Sequence, residues 1–239
     1  MPTRAERERV LGTGEGGDET TAIDKAAEDA IVERLRATGA TIVSEEVGIL
    51  EGSGTVVVID PIDGSLNAKR GIPFFSISIA VADGDTMDDV FFGYVHDFGT
   101  GEEWTATRGE GALRNGEPLS ERPKDRIEIL SFEATTLAYV TKNAARFDGV
   151  AHRLRIMGSL AITLCHLAAG RVDGVVSLKA ARSVDIAAAQ LLVREQGLAI
   201  DLPDDPPFGR APLDLEGRSR VAAAGNDELC SLLSRALTA

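Results

Sequence analysis

Short apolar runs that stop at polar residues divide the chain into two textures. Residues 56–59 contain no polar position and predict a strand buried on both faces. Residues 41–43 predict a second such strand. Residues 74–82 alternate, and residues 90–95 supply an antiparallel partner. Trp104 and Ala106 mark a further strand, and Asn115-Gly116 is a strong hairpin turn. This meander predicts antiparallel sheet rather than parallel crossovers. Upstream, residues 4–11 read as a short helix, followed by a flexible loop with Gly12, Gly14, Gly16 and Gly17 beside Glu15, Asp18 and Glu19. A helix then runs to about Thr38, capped by Thr20 or Thr21. It carries Ile23, Ala27, Ala30, Ile31 and Leu35 on one face and stops at Gly39.

From about Asp125 strand and helix alternate. Strands are expected at 127–132, 154–156, 172–176 and 221–224, helices at 160–169, 185–196 and 227–237, and a loop at 203–207. In the second helix Ile186, Ala189, Leu192 and Val193 face inward. The change near residue 120 predicts an N-terminal lobe over 1–120 and a C-terminal lobe over 121–239, with no flexible joint between them.

Composition narrows the function classes. The 239 residues hold 38 acidic against 25 basic side chains, a formal charge of −13, which argues against nucleic acid as a partner. No apolar run approaches the roughly 18 residues of a membrane span. The charged N-terminus lacks a signal-peptide core, so a cytoplasmic protein without a membrane partner is expected. Only Lys25, Lys69, Lys124, Lys142 and Lys179 are lysines, which suits either a high-salt cytoplasm or a genome rich in G and C. Cys165 and Cys230 read as buried free thiols in helices. His166 reads as a packing or surface residue.

The chemistry gathers at Asp60-Pro61-Ile62-Asp63-Gly64-Ser65, directly after the most apolar strand. Pro61 is expected to end the ladder and to stiffen the turn that holds Asp60 and Asp63. Gly64 leaves room for an approaching anion, and residues 65–70 predict a short helix whose open N–H groups face phosphate. Alone, such a segment is more often a turn than a cation site. Two other acidic element ends raise the odds: Ser44-Glu45-Glu46 after the strand at 41–43, and Asp185 at the start of its helix.

The segment closely resembles the D-P-I/L-D-G-T/S signature of the lithium-sensitive, magnesium-dependent phosphatase superfamily, which includes inositol monophosphatase and fructose-1,6-bisphosphatase. Thr21-Ala22-Ile23-Asp24-Lys25, Ser44-Glu45-Glu46, Gly71-Ile72-Pro73-Phe74-Phe75 and Asp185-Ile186-Ala187-Ala188 match in the same order. The overall pattern looks most like the archaeal enzymes that act on both inositol monophosphate and fructose bisphosphate. The resemblance implies an α+β fold, a layered αβαβα sandwich with the active site between two lobes. It also implies a homodimer.

It further implies two or three magnesium ions, replaceable by manganese, on the carboxylates of Glu45, Asp60, Asp63 and Asp185 and the carbonyl of Ile62. At an effective dielectric of about 20, two like charges 4 Å apart cost roughly 4 kcal/mol, so four carboxylates need a counter-ion. In the implied mechanism a metal-activated water attacks in line. Ser65, hydrogen-bonded to Asp24, orients it, and the amides of Gly64 and Ser65 bind the phosphoryl oxygens. Gly158, Ser159 and Leu160 align with the sugar-contacting turn. Lys179 and Arg182 are basic where inositol-specific members are acidic, which suits the second phosphate of a bisphosphate. The chain departs from the pattern at Val184 and Ala189, in a short N-terminal helix, and in lacking the usual loop lysine. A sugar-phosphate phosphomonoesterase is therefore expected. The alternatives are a 3′,5′-bisphosphate nucleotidase of the same superfamily and a non-catalytic metal- or sugar-phosphate-binding module.

Overall fold

A computed structural model of the chain describes residues 3–15, 17, 19–133, 136–204 and 207–239. Gly16 and Asp18 of the expected glycine loop, and residues 205 and 206 of the expected loop at 203–207, lie outside the described residues. In the first half, α1 (Arg4–Arg7) precedes a two-stranded antiparallel ribbon, β1 (Val10–Thr13) with β2 (Glu19–Thr21). Only the first turn of the expected helix at 4–11 forms, because Val10 to Thr13 pair with β2 instead. Helix α2 (Ala22–Leu35) starts from Thr21, continues as a 3₁₀ turn, and stops at Gly39, whose φ of 74° suits glycine.

A large sheet follows: β3 (Thr41–Ser44), β4 (Gly48–Leu50), β5 (Val56–Asp63), β6 (Ser76–Ala82), β7 (Val90–Asp97), β8 (Glu103–Thr107), β9 (Gly111–Arg114) and β10 (Glu117–Pro118), with α3 (Ser65–Arg70) between β5 and β6. Its order is β10-β9-β8-β7-β6-β5-β3-β4. Only β3 and β5 pair in parallel; the rest is the antiparallel meander that the alternation predicts. Asn115 and Gly116 take φ of 52° and 80° in the turn between β9 and β10.

Pro61 does not end β5. The pairing with β3 stops at Ile59, so the missing N–H is not needed on that side. On the β6 side the register shifts between Asp60 and Asp63, and the irregularity removes Pro61 from the ladder. The strand therefore continues through both aspartates.

The second half builds β11 (Ile129–Glu133), α4 (Leu137–Asn143), β12 (Arg153–Arg155), α5 (Leu160–Ala168), β13 (Gly174–Ser177), α6 (Ser183–Glu195), β14 (Ala199–Asp201), β15 (Ala222–Ala224) and α7 (Asp227–Thr238). Its five-stranded sheet has the order β12-β11-β13-β15-β14, parallel around β11 and antiparallel around β15. Sequence patterning misses β4, α4 and β14, which are short and carry little periodicity.

The layers stack as helix, sheet, helix, sheet, helix. Helix α2 covers one face of the large sheet over Ile42, Val57 and Ile59. Helices α5 and α6 lie between the sheets, and α7 and α4 cover Leu130, Phe132 and Val176 on the far side. Position in the stack explains composition: every residue of α5 except His166 is buried, and it is apolar around most of its circumference. His166 packs edge-on against Phe74, with ring centroids 5.7 Å apart. Cys165 and Cys230 are buried free thiols. The two sheets fall on either side of residue 120, yet one apolar cluster runs from Val43 and Val58 through Leu164 and Ile186 to Val221. The halves share a core.

That shared core leaves no slack where α6 crosses β7. A Cβ on Gly93 would stand 2.5 Å from the Ala188 carbonyl oxygen, whereas one on Gly12 would meet nothing within 4 Å. Gly93→Ala should therefore destabilise the fold by about 1–3 kcal/mol in chemical denaturation. Gly12→Ala should leave it within about 0.5 kcal/mol. Equal effects would show that α6 does not seat tightly on the sheet.

Candidate functional site

Everything that carries chemistry lies where β5 ends. Asp60 is 2% exposed, and its Oδ1 accepts the Ile62 N–H at 2.9 Å. Gly64 then turns with φ 88° into α3. A Cβ there would lie 2.9 Å from the Gly158 oxygen and 3.0 Å from the Phe74 oxygen, so the position requires glycine twice over. Asn67, one turn on, donates through Nδ2 to the carbonyls of Phe74 and Met157, both at 2.8 Å. It thereby fastens the 157–159 turn of the second half against the aspartate loop of the first.

Asp63 is held across that junction. Its Oδ2 accepts the Ser159 hydroxyl at 2.6 Å and the Ala161 N–H at 2.7 Å, at the N-terminus of α5. Ser159 is 1% exposed, so it caps α5 and grips Asp63; it does not line the cleft. Gly158 and Leu160 do line it. Glu133, at the end of β11, accepts the Gly158 N–H and the Thr163 hydroxyl at 2.9 Å and the Ser131 hydroxyl at 3.0 Å. Sequence patterning overlooks Glu133, although an apolar strand ending in an acid is the signal that marks Asp60.

Glu45 follows β3, and Asp185 sits in the first turn of α6, where its Oδ2 accepts the Arg182 N–H at 2.8 Å. The side chain of Arg182, expected at a distal phosphate, is buried between these two acids. Its Nη2 lies 2.6 Å from Glu45 Oε1 and its Nε 3.7 Å from Asp185 Oδ2. Backbone position explains this: Arg182 is the N-cap of α6, three residues before Asp185, and both face the cleft. Lys179 is exposed at the rim.

A second correction concerns Asp24. Among the described residues it makes no hydrogen bond to Ser65. Its Oδ2 instead accepts Thr21 Oγ1 at 2.5 Å and the Thr21 N–H at 3.1 Å, and Lys69 Nζ stands 3.2 Å away. Thr21 is the N-cap of α2 and Asp24 its third residue, so the capping box claims the carboxylate. Among the described residues its Oδ1 is buried with no hydrogen-bond partner. Lys69, from α3, supplies a cation here that the expected loop does not. Glu46 accepts the Thr20 hydroxyl beside it.

These groups surround one cleft of about 710 Å³, with Asp24, Glu45, Asp60, Ile62, Asp63, Gly64, Ser65, Lys179, Arg182 and Asp185 on its walls. Burial is the main cause that pushes three of the carboxyls up. Glu45 rises to about 7, Asp63 to about 6 and Asp60 well above its usual range, with neighbouring acids adding to each. Burial also lifts Glu133 to about 7. The donors fit a hard divalent cation in kind, since all are oxygens, and in charge, since their mutual repulsion calls for a cation. Among the described residues no three acidic, histidine or cysteine side chains already stand together as a ready ion site. Arg182 is a cation in contact with two of these acids, Glu45 and Asp185.

The model of the inositol monophosphatase family matches residues 3–237. The chain belongs to this family. Among its members, the fructose-1,6-bisphosphatase/inositol-1-monophosphatase of Archaeoglobus fulgidus is 36% identical over 235 residues, covering 96% of this chain and 87% of that one. The enzyme of the same name from Methanothermobacter thermautotrophicus is 35% identical, covering 92% and 84%. A crystal structure of an inositol monophosphatase–fructose 1,6-bisphosphatase superposes with a TM-score of 0.86 at 29% identity, over 98% of this chain and 90% of that one. The fold is the layered sandwich of inositol monophosphatases. Among the described residues no helix is long and apolar enough to cross a membrane.

The raised carboxyls set a pH dependence. Between its ordinary value of 4.5 and about 7, Glu133 keeps in the folded chain a proton that the unfolded chain has released. Its contribution to stability is complete below 4.5 and is lost as pH rises through about 7. Glu45 acts in the same sense. The melting temperature of metal-stripped protein should therefore fall between pH 5 and 8, and Glu133→Gln should flatten part of that slope. A flat wild-type profile would contradict the burial of these groups.

Proposed function

We propose that the cleft hydrolyses phosphomonoesters of sugars and polyols, fructose 1,6-bisphosphate and inositol 1-phosphate among them, with magnesium or manganese as the required cation. The carrying observation is that Glu45, Asp60, Asp63 and Asp185, from different elements of both halves, share one cleft, and that burial drives the first three toward neutrality there. The names of the archaeal relatives support the same reaction and substrates. A homodimer in the cytoplasm is part of this reading.

Glu45, Asp60, Asp63 and Asp185, with the Ile62 carbonyl, would hold the cation. When bound, it supplies positive charge for the transferring phosphoryl group and makes water more acidic. The chain itself does the positioning. Gly64 and Ser65 lie at the N-cap and first residue of α3, where backbone N–H groups have no helical partner and can bind phosphoryl oxygens. The Ser65 hydroxyl orients the attacking water. Asp24 offers Oδ1, which carries no other hydrogen bond, to receive the proton. Lys179 at the rim meets the distal phosphate of a bisphosphate.

Phosphate release from a sugar-phosphate panel, with magnesium and then with chelator, tests the reading directly. Asp60→Asn should lower kcat at least about a hundredfold, the scale of losing one preorganised electrostatic partner. The metal-stripped variant should melt no earlier than wild type, because the change removes repulsion. Undiminished turnover in Asp60→Asn or in chelator would refute the metal mechanism.

Lys179→Ala separates the substrates. It should raise KM for fructose 1,6-bisphosphate severalfold at low salt and less at high salt, while sparing inositol 1-phosphate. Equal losses on both would place Lys179 in support of the site rather than at a second phosphate.

A further inference from the structure

Arg182 stands in an unusual place. Its side chain is only 8% exposed, it starts helix α6 where the helix dipole disfavours a cation, and it lies in the cleft assigned to a divalent ion. Its partners explain the position. Nη2 reaches Glu45 Oε1 at 2.6 Å, and Nε lies 3.7 Å from Asp185 Oδ2. Its own backbone N–H is fixed by the same Asp185 oxygen at 2.8 Å. Arg182 is thus an ion-pair partner of both acids.

We infer that Arg182 is the resident counter-ion of the acidic cleft, and that a divalent cation enters by exchange, with the guanidinium giving up Glu45 as the ion arrives. The inference rests on the metal reading of the proposed function. A divalent ion needs carboxylate oxygens within about 2.0–2.6 Å of one point. The guanidinium, 2.6 Å from Glu45 and 3.7 Å from Asp185, occupies carboxylate oxygens that an ion would need, and among the described residues no three such side chains stand together as a ready ion site. Glu45 and Asp185 are kept in place by an arginine that makes the site stable when empty and weakens its hold on the ion.

The exchange predicts opposite effects on two measurements. Metal-stripped wild type, Arg182→Gln, Arg182→Ala and Arg182→Lys are titrated with Mn²⁺, reading free ion by electron paramagnetic resonance. The same proteins are melted in chelator and in saturating Mn²⁺. Arg182→Gln and Arg182→Ala should bind Mn²⁺ about tenfold to a hundredfold more tightly, the factor released by removing one charge-assisted contact. Both should melt earlier than wild type in chelator and close to it with Mn²⁺. Arg182→Lys keeps a cation in place, so its affinity should stay near that of wild type. It also serves if the neutral variants do not fold without metal, and these are then refolded in Mn²⁺.

Unchanged or weaker binding in Arg182→Gln overturns the exchange, as does tightening in Arg182→Lys as large as in Arg182→Gln. Binding by wild type that Arg182→Gln leaves unaltered sinks this inference alone. Absence of Mn²⁺ binding in every protein sinks the metal reading with it.

Discussion

Like charges held close in a space with little water are the constraint on which this structure turns. Two carboxylates 4 Å apart repel by roughly 4 kcal/mol at an effective dielectric of about 20, a large share of what a domain of this size has to spare. The chain relieves the repulsion in three ways. Asp63 takes two hydrogen bonds from the start of α5, Asp60 takes one from Ile62, and Glu45 and Asp185 share Arg182. Raised carboxyl pKa values show that relief is incomplete. Incomplete relief is what a binding site for a cation requires, because fully satisfied acids would have nothing to offer an ion.

The same constraint explains why the two halves cannot be independent. Asp63 belongs to the large sheet, but its partners Ser159 and Ala161 belong to the helix between the sheets. Asn67 spans the identical junction through two carbonyls. Helices α5 and α6 thus have two tasks. Their apolar bodies fill the space between the sheets, and their N-termini bring N–H groups and Asp185 to the cleft. A buried helix can point only one end at a site, so the sequence places acid-binding groups in its first turn and apolar residues after it.

Much of this was legible in the chain, for a physical reason. Residues 56–59, 76–82 and 160–168 are buried on all sides or in strict alternation, so composition alone records their surroundings. The aspartate loop was legible because the motif, the strand end and the glycine agree. What could not be read is where competing partners win. Pro61 stays within β5 because neighbouring strands leave its missing N–H unneeded, a fact of pairing rather than of local sequence. Arg182 looked like a surface charge suited to phosphate, yet three-dimensional proximity to Glu45, 137 residues away, draws it inward. Val10 and Leu11 look like the end of a helix, and Gly12 like a loop, until β2 offers them a ladder.

Asp24 shows the limit most clearly. As a first-turn acid it can serve the helix or the reaction, and in this structure one oxygen does the first while the other remains without a partner. The division is chemically useful. Thr21 and Lys69 fix the carboxylate in orientation, and that fixes its other oxygen as well. Burial of the spare oxygen costs on the order of 1–3 kcal/mol when nothing bonds to it. The fold bears that cost at the cleft that Ser65 also lines, where an incoming donor would recover it.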